Sequence, residues 1–314
     1  MKKEEFDFYS KTALKSYNLD SKMRYQLAML DTLDAYTRRH CENVANITCR
    51  LCEYLHLSEG FTIYATICAY LHDLGKIFIP PSVLQKPSKL TDEEYKIMKT
   101  HTTIGYKMCM DDPQLRPYAA GTLYHHESLN GTGYPNGLKG NKIPYEAQII
   151  RVADEFEAIT AKRQYKTHIG IIDALNIVIE NSNPTKTKLE AGLNIMKEEA
   201  RVGKIDKKIV RALLKVVADD IEYEISCRID YLKSLKDDIK RLEEAKKYYD
   251  KMEKAKTPEK AKYFEEGVKA FLISNEEIEQ LPLILEETNQ AYIARKKHID
   301  TLFDELKKVK KLKV

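Results

Sequence analysis

Residues 44–76 read VANITCRLCEYLHLSEGFTIYATICAYLHDLGK, and this stretch decides the fold class. Val44, Ile47, Leu51, Tyr54 and Leu55 recur at spacings of three and four, which puts them on one face of an α-helix that should be buried. The same period fills Phe61 to Leu74 and, beyond the quoted stretch, Asp92 to Met110 and Ile171 to Ile179. Strand-type alternation is not sustained anywhere, so the expected class is all-α.

Working outward, the helix-breaking residues fall in two places. Pro80-Pro81 through Pro87 ends the helical pattern soon after His72-Asp73, and Thr91-Asp92-Glu93-Glu94 then supplies a helix start with acidic residues in its first turn. Asn130 to Gly137, NGTGYPNG, is too rich in glycine and proline for helix or strand and reads as a shaped loop directly after His125-His126. After Gly203 neither Gly nor Pro occurs until Pro258, which leaves room for one or two long helices. Ile225, Ile229, Leu232, Leu235, Ile239 and Leu242 form a mostly heptad-like seam there, so residues 220–314 are expected to be a helical, possible coiled-coil extension that could pair two copies as a homodimer. The basic end from Lys307 to Lys313 reads as a solvated helix terminus.

Composition excludes several classes. The chain has 314 residues, 32% charged and 43% hydrophobic, with 20 Tyr and no Trp, a globular rather than disordered profile. Its 52 basic and 48 acidic side chains are too balanced to imply a nucleic-acid polymer as partner. There is no long apolar run, and the start MKKEEFDFYS lacks a signal-peptide core, so a cytoplasmic protein without a transmembrane segment is expected. The six cysteines lie mostly within helical patterns and read as reduced thiols; the Cys49-x-x-Cys52 pair reads as helix packing rather than a zinc or redox site.

The chemistry lies in the histidines. Only eight occur, and five fall in the order His40, His72-Asp73, His101, His125-His126, followed by Asp154. Imidazole and carboxylate are the usual ligands of zinc, manganese and iron, and two such doublets with further ligands on neighbouring helices suit a centre of more than one metal ion.

The order of motifs carries a resemblance. LDAYTRRH ending at His40, HDLGK at 72–76, KPSKLTDEEYKIMKTH ending at His101, HHESLNGTGYPNGL at 125–138 and RVADEFEAITAKRQYK at 151–166 together resemble the HD-GYP subgroup of the HD phosphohydrolase superfamily. The match covers about residues 25–219, leaving 1–24 as an N-terminal helical segment and 220–314 as the extension. The resemblance implies an HD-domain helical bundle that hydrolyses cyclic di-GMP to linear pGpG, with GMP as the alternative end product, and two divalent transition-metal ions per chain, iron or manganese foremost. By motif position His40, His72, Asp73 and Asp154 would hold one ion, and Asp73, His101, His125 and His126 the other, with Asp73 bridging. A hydroxide shared between the ions would attack the phosphorus. Asp73 and Lys76 are the catalytic residues this implies; Lys76, Gly133, Tyr134, Arg163 and Lys166 would contact substrate, and Glu127 would orient a ligand histidine.

Departures bear on function. Asn130 and Glu157 stand where the family usually has Asp, Gln164 replaces a proline, and Tyr36 replaces a glutamate that binds a third metal in some members, so two ions are expected. Two further readings stay open: the same chemistry on another cyclic dinucleotide such as cyclic GMP-AMP, or a weakly active receptor that signals through its helical tail.

Overall fold

Asp34 begins the first helix by accepting hydrogen bonds from the Tyr36 and Thr37 amides, and α1 then runs Ala35–Tyr54. The structure is a computed structural model that describes residues 28–29, 33–160, 188–272 and 276–312. Among these residues it is all-α, without a strand, as the periodicity implies. Helix α2 (Glu59–Leu71) starts on a Ser58 cap and ends at His72; a 3₁₀ turn over Leu74–Phe78 and a short α3 (Pro81–Leu84) follow. Thr91 and Glu94 form a reciprocal capping box at α4 (Asp92–Lys99), where the sequence places a helix start. One continuous helix is not formed from Asp92 to Met110, because the chain breaks at Thr100 and restarts as α5 (His101–Asp111). Next come α6 (Ala119–Tyr124), α7 (Tyr145–Thr160), α8 (Lys188–Arg201), α9 (Lys207–Glu253), α10 (Pro258–Lys269) and α11 (Glu276–Lys311).

The chain divides into two units, with the break between Val216 and Val217. In the first, α1 packs on α2 and α7, α2 also meets α6, and α7 also meets α8. The core is lined by Val44, Leu51, Ala65, Leu71, Ile149, Ile150, Leu193 and Met196. The buried face of α1 is rotated from the apolar stripe of the sequence: Val44 and Leu51 are buried, but Ile47, Tyr54 and Leu55 are only half-buried. Cys41, Ala45, Cys49 and Cys52 complete the face, since small side chains let three helices approach closely. All four cysteines of that sector, including Cys68, are free and buried, and burial pushes the Cys52 thiol up to about 12, so the pair packs rather than ligates.

Close approach also fixes the turn after His72-Asp73. A Cβ on Gly75 would lie 2.0 Å from the His101 carbonyl oxygen and 2.6 Å from the Gly105 nitrogen, both backbone atoms. Only glycine lets the turn rest against α5, and this contact brings Asp73 and His101 together.

In the second unit, Leu242, Ala245, Val268, Ile278 and Leu281 form a core supported by Tyr248, Phe271 and Leu285. Along the predicted seam Ile225, Ile239 and Leu242 are buried while Ile229, Leu232 and Leu235 are half-buried. Glu222 pairs with Lys310, and Arg295 lies over the Tyr231 ring, so α9 and α11 run antiparallel as a hairpin of one chain. No helix among the described residues is long and apolar enough to cross a membrane.

Candidate metal centre

The helix ends of the first unit deliver its titratable side chains to one place. His40 comes from the middle of α1, His72 from the end of α2, His101 from the start of α5, His125 and His126 from the end of α6, and Asp154 from α7. Asp73 sits at the centre. Its Oδ2 is 3.4 Å from His40 Nε2 and 3.3 Å from His72 Nε2, while its Oδ1 is 3.3 Å from His101 Nε2 and 4.0 Å from His125 Nε2. Asp154 Oδ1 lies 3.0 Å from His40 Nε2 and 3.9 Å from His72 Nε2, and its Oδ2 lies 3.9 Å from His126 Nδ1. All seven sequence-predicted ligands converge: His40, His72 and Asp73 form one set, His101, His125 and His126 the other, and Asp154 faces His40 with one oxygen and His126 with the other.

Backbone carbonyls fix the ring orientations. Nδ1 of His72 donates to Ala69 O at 2.6 Å, that of His101 to Met98 O at 2.7 Å, and that of His125 to Gly121 O at 3.0 Å. A carbonyl can only accept, so each ring turns its Nε2 inward: as a lone pair on neutral His101 and His125, and on His72, before any metal enters, as an N–H facing Asp73. His101 Nε2 and His125 Nε2 then face each other at 3.2 Å as two acceptors, an arrangement that a cation between them would satisfy. Among the described residues Asp73 Oδ1 is buried without a hydrogen-bond donor, and His72 Nε2 is buried with only the Asp73 carboxylate at 3.3 Å beside it. Orphaned inward lone pairs on nitrogen and carboxylate oxygen fit divalent transition metals.

Charge divides the sets. Burial disfavours the His40 imidazolium, but contacts with Asp154 and Glu157 outweigh it and raise His40 to about 9. His72 is likewise raised against burial by Asp73, and Asp73 and Asp154 are held well below the carboxylate range by the cations around them. On the other side, burial lowers His101 to about 4 and His126 to about 3, and it depresses His125 with help from neighbouring His126. Lys76 donates to Asp73 Oδ2, and that carboxylate, against burial, holds its ammonium charged.

The sequence reading misassigned one carboxylate and undervalued another. Among the described residues the Glu127 carboxylate hydrogen-bonds no histidine; it accepts from the amides of Asn136 at 2.6 Å and Leu138 at 2.8 Å and so pins the glycine-rich loop. The histidine-orienting carboxylate is Glu157, whose Oε2 is 2.6 Å from His40 Nδ1 while Asn43 Nδ2 donates to its Oε1 at 2.9 Å. Its position three residues after Asp154, one helical step away on α7, was the available signal.

The loop closes over the second set. The Tyr134 ring stacks on His126 at 4.6 Å between centroids, and its amide donates to the His126 carbonyl. A Cβ on Gly133 would fall 2.3 Å from Ser128 N and 2.5 Å from His126 O, so glycine is required there. Asn130 Oδ1 accepts from the Thr132 amide and hydroxyl, keeping the turn that an Asp would make. Arg163 and Lys166, with Gln164 and the helical pattern of 171–179, lie outside the described residues.

A family model of the HD domain matches residues 22–187, more than half of the chain and the segment that carries every one of these ligands. The chain belongs to the HD domain family. Among curated relatives, a cyclic di-GMP phosphodiesterase of Thermotoga maritima is 38% identical over 189 residues, covering 58% of this chain and 51% of the relative. The cyclic di-GMP phosphodiesterase response regulator RpfG of Xanthomonas campestris is 43% identical over 136 residues, 42% of this chain and 36% of the relative. A 3'3'-cGAMP-specific phosphodiesterase of Vibrio cholerae is 32% identical over 176 residues, 54% of this chain and 38% of the relative. The chain thus spans about half or less of the length of these relatives.

Proposed function

We propose that this HD domain protein is a metal-dependent phosphodiesterase that opens cyclic di-GMP to linear pGpG, with GMP as the alternative end product. One observation carries the reading: six His and Asp side chains converge in two sets joined by Asp73, Asp154 reaches both sets, and the inward lone pairs of Asp73 Oδ1, His101 and His125 meet no donor. His40, His72, Asp73 and Asp154 would hold one divalent ion and Asp73, His101, His125 and His126 a second, iron or manganese by the family resemblance, with which this N/O ligand set is compatible. Ions held there would supply Lewis acidity toward phosphate oxygens and acidify water.

The chain's own residues do the rest. Asp73 turns one oxygen to each set and so fixes their separation. Lys76 stays charged beside it and can neutralise a phosphate oxygen delivered to the centre. Tyr134, on the loop pinned by Glu127, walls the His126 side. Arg163 and Lys166 belong to the same proposal as phosphate contacts, as does action in the cytoplasm. Opening cyclic GMP-AMP instead is the second reading, supported by the cGAMP-specific name of one relative.

Anaerobic purification with elemental analysis and a turnover assay tests this. About two transition-metal ions per chain and hydrolysis of a cyclic dinucleotide are expected. A fully occupied third ion near Tyr36, or turnover confined to mononucleotides, overturns it. Asp73→Ala should lose both ions, whereas His40→Ala should mainly weaken one.

A further inference from the structure

We propose that Tyr95 and Lys99 of α4 form a binding wall for the half of a cyclic dinucleotide remote from the bond being broken. Lys99 meets the second phosphate and Tyr95 stacks a base; the inference rests on the cyclic-dinucleotide reading above.

A line of contacts runs outward from the metal centre. His126 is covered by the Tyr134 ring at an interplanar angle of 26°, Tyr134 meets Tyr95 edge-on at 6.5 Å, and the Lys99 ammonium lies 5.1 Å from the Tyr134 centroid and 4.4 Å from that of Tyr95. Lys99 is half-buried, yet among the described residues its ammonium makes no ion pair, whereas nearby Lys86 is tied to Glu94. The contacts to the rings hold the charge in position but are weak beside a charge-assisted bond to phosphate, so the ammonium can exchange one for the other. Tyr95 keeps 45% of its surface exposed, and an exposed aromatic ring is the kind of group on which a base stacks.

The ligand's chemistry matches this order. A cyclic dinucleotide has two phosphates and two bases; with one phosphate at the metal centre, the other needs a cation and its base an aromatic surface. A small phosphodiester such as bis(p-nitrophenyl) phosphate reaches the centre without that second half. The two substrates therefore read the wall and the centre separately.

The test uses the full metal-loaded chain with both substrates, and calorimetry with cyclic di-GMP. Lys99→Met should lower the ratio of kcat/KM for cyclic di-GMP over the small diester about tenfold, the equivalent of about 1.4 kcal/mol, through KM rather than kcat. Lys99→Arg should recover most of it, and Tyr95→Ala should lower the ratio roughly fivefold through the lost stacking. An unchanged ratio, with both substrates or neither affected, overturns the wall and leaves Lys99 as packing between two tyrosines. If the wild-type chain binds cyclic di-GMP without opening it, the hydrolase reading fails, and weaker binding by Lys99→Met then still supports the wall. A wild type that neither binds nor opens the dinucleotide sinks both.

Discussion

Replacing Glu157 by Gln tests whether a buried carboxylate outside the ligand set tunes the centre. The contact from His40 Nδ1 is 2.6 Å, and both side chains are nearly inaccessible to solvent. The amide keeps the shape, and Asn43 can reverse its own amide to suit it, so the loss is that of charge. Carboxylates behind ligand histidines are typically worth roughly ten- to hundredfold in metal affinity, about 1.4–2.7 kcal/mol. A second effect has the opposite sign. Glu157 helps to raise His40 to about 9, so at pH 7 a proton competes with the metal for Nε2, and removing the charge weakens that competition. The expected loss at pH 7 is therefore near tenfold, growing toward about a hundredfold by pH 8.5 as the competition fades. Titration of metal-free protein with Mn(II), followed by electron paramagnetic resonance, measures free ion and paired ion together. Wild-type affinity across that pH range, or an equal loss at both steps, would refute the reasoning.

Four further outcomes are expected. At neutral pH an ion entering the His40–His72 set displaces protons, because both rings are raised, while one entering the set of His101, His125 and His126 displaces none, because all three are lowered. Affinity of the first set thus rises with pH up to about 9 and the other is flat at neutral pH, which calorimetry in buffers of different ionisation enthalpy resolves; equal release at both steps contradicts it. Gly75→Ala should cost about 3 kcal/mol or more, since its Cβ meets backbone that cannot step aside, and the urea midpoint reads this directly. Gly133→Ala should leave the ions bound but lower turnover, as the loop lifts from His126; loss of metal instead would mean that the loop belongs to the centre. Deleting 217–312 should leave metal content intact and, if the extension pairs two chains, bring the mass seen by light scattering down to roughly a third, whereas a truncated chain that stays paired keeps roughly two thirds.

How much of this was legible in the sequence follows from the range over which each signal acts. Helices, the Thr91–Glu94 start and the loop after His126 are local properties, written in spacing and in glycine and proline. The seven inward groups were legible because they come as doublets in a recognisable order. Side-chain partners at long sequence separation were not: Glu127 and Glu157 both lie close in sequence to site residues, and only packing decides which of them meets a histidine. Helix α7 carries Glu157 back across α1 to His40, a pairing 117 residues apart, while Glu127 is held in place by its own loop. The buried face of α1 was displaced for a similar reason, because cysteines and alanine count little on an apolar stripe yet permit the closest contacts.

The two sets also differ in what they do to the fold before any ion enters. Around His40 and His72, protons and carboxylates neutralise one another, so that side is stable without metal at neutral pH and loses this support as pH rises through about 9. Around His101, His125 and His126, burial keeps the rings neutral in the fold while the unfolded chain takes up protons below about pH 6.5, so that side weakens the fold as pH falls toward about 4. The facing lone pairs of His101 and His125 add an unsatisfied contact to the same side. An ion there relieves repulsion without displacing a proton, whereas one at His40 must compete with protons already in place. Metal binding should therefore stabilise the fold most through the second set, and Asp73, with one oxygen on each side, links the two events.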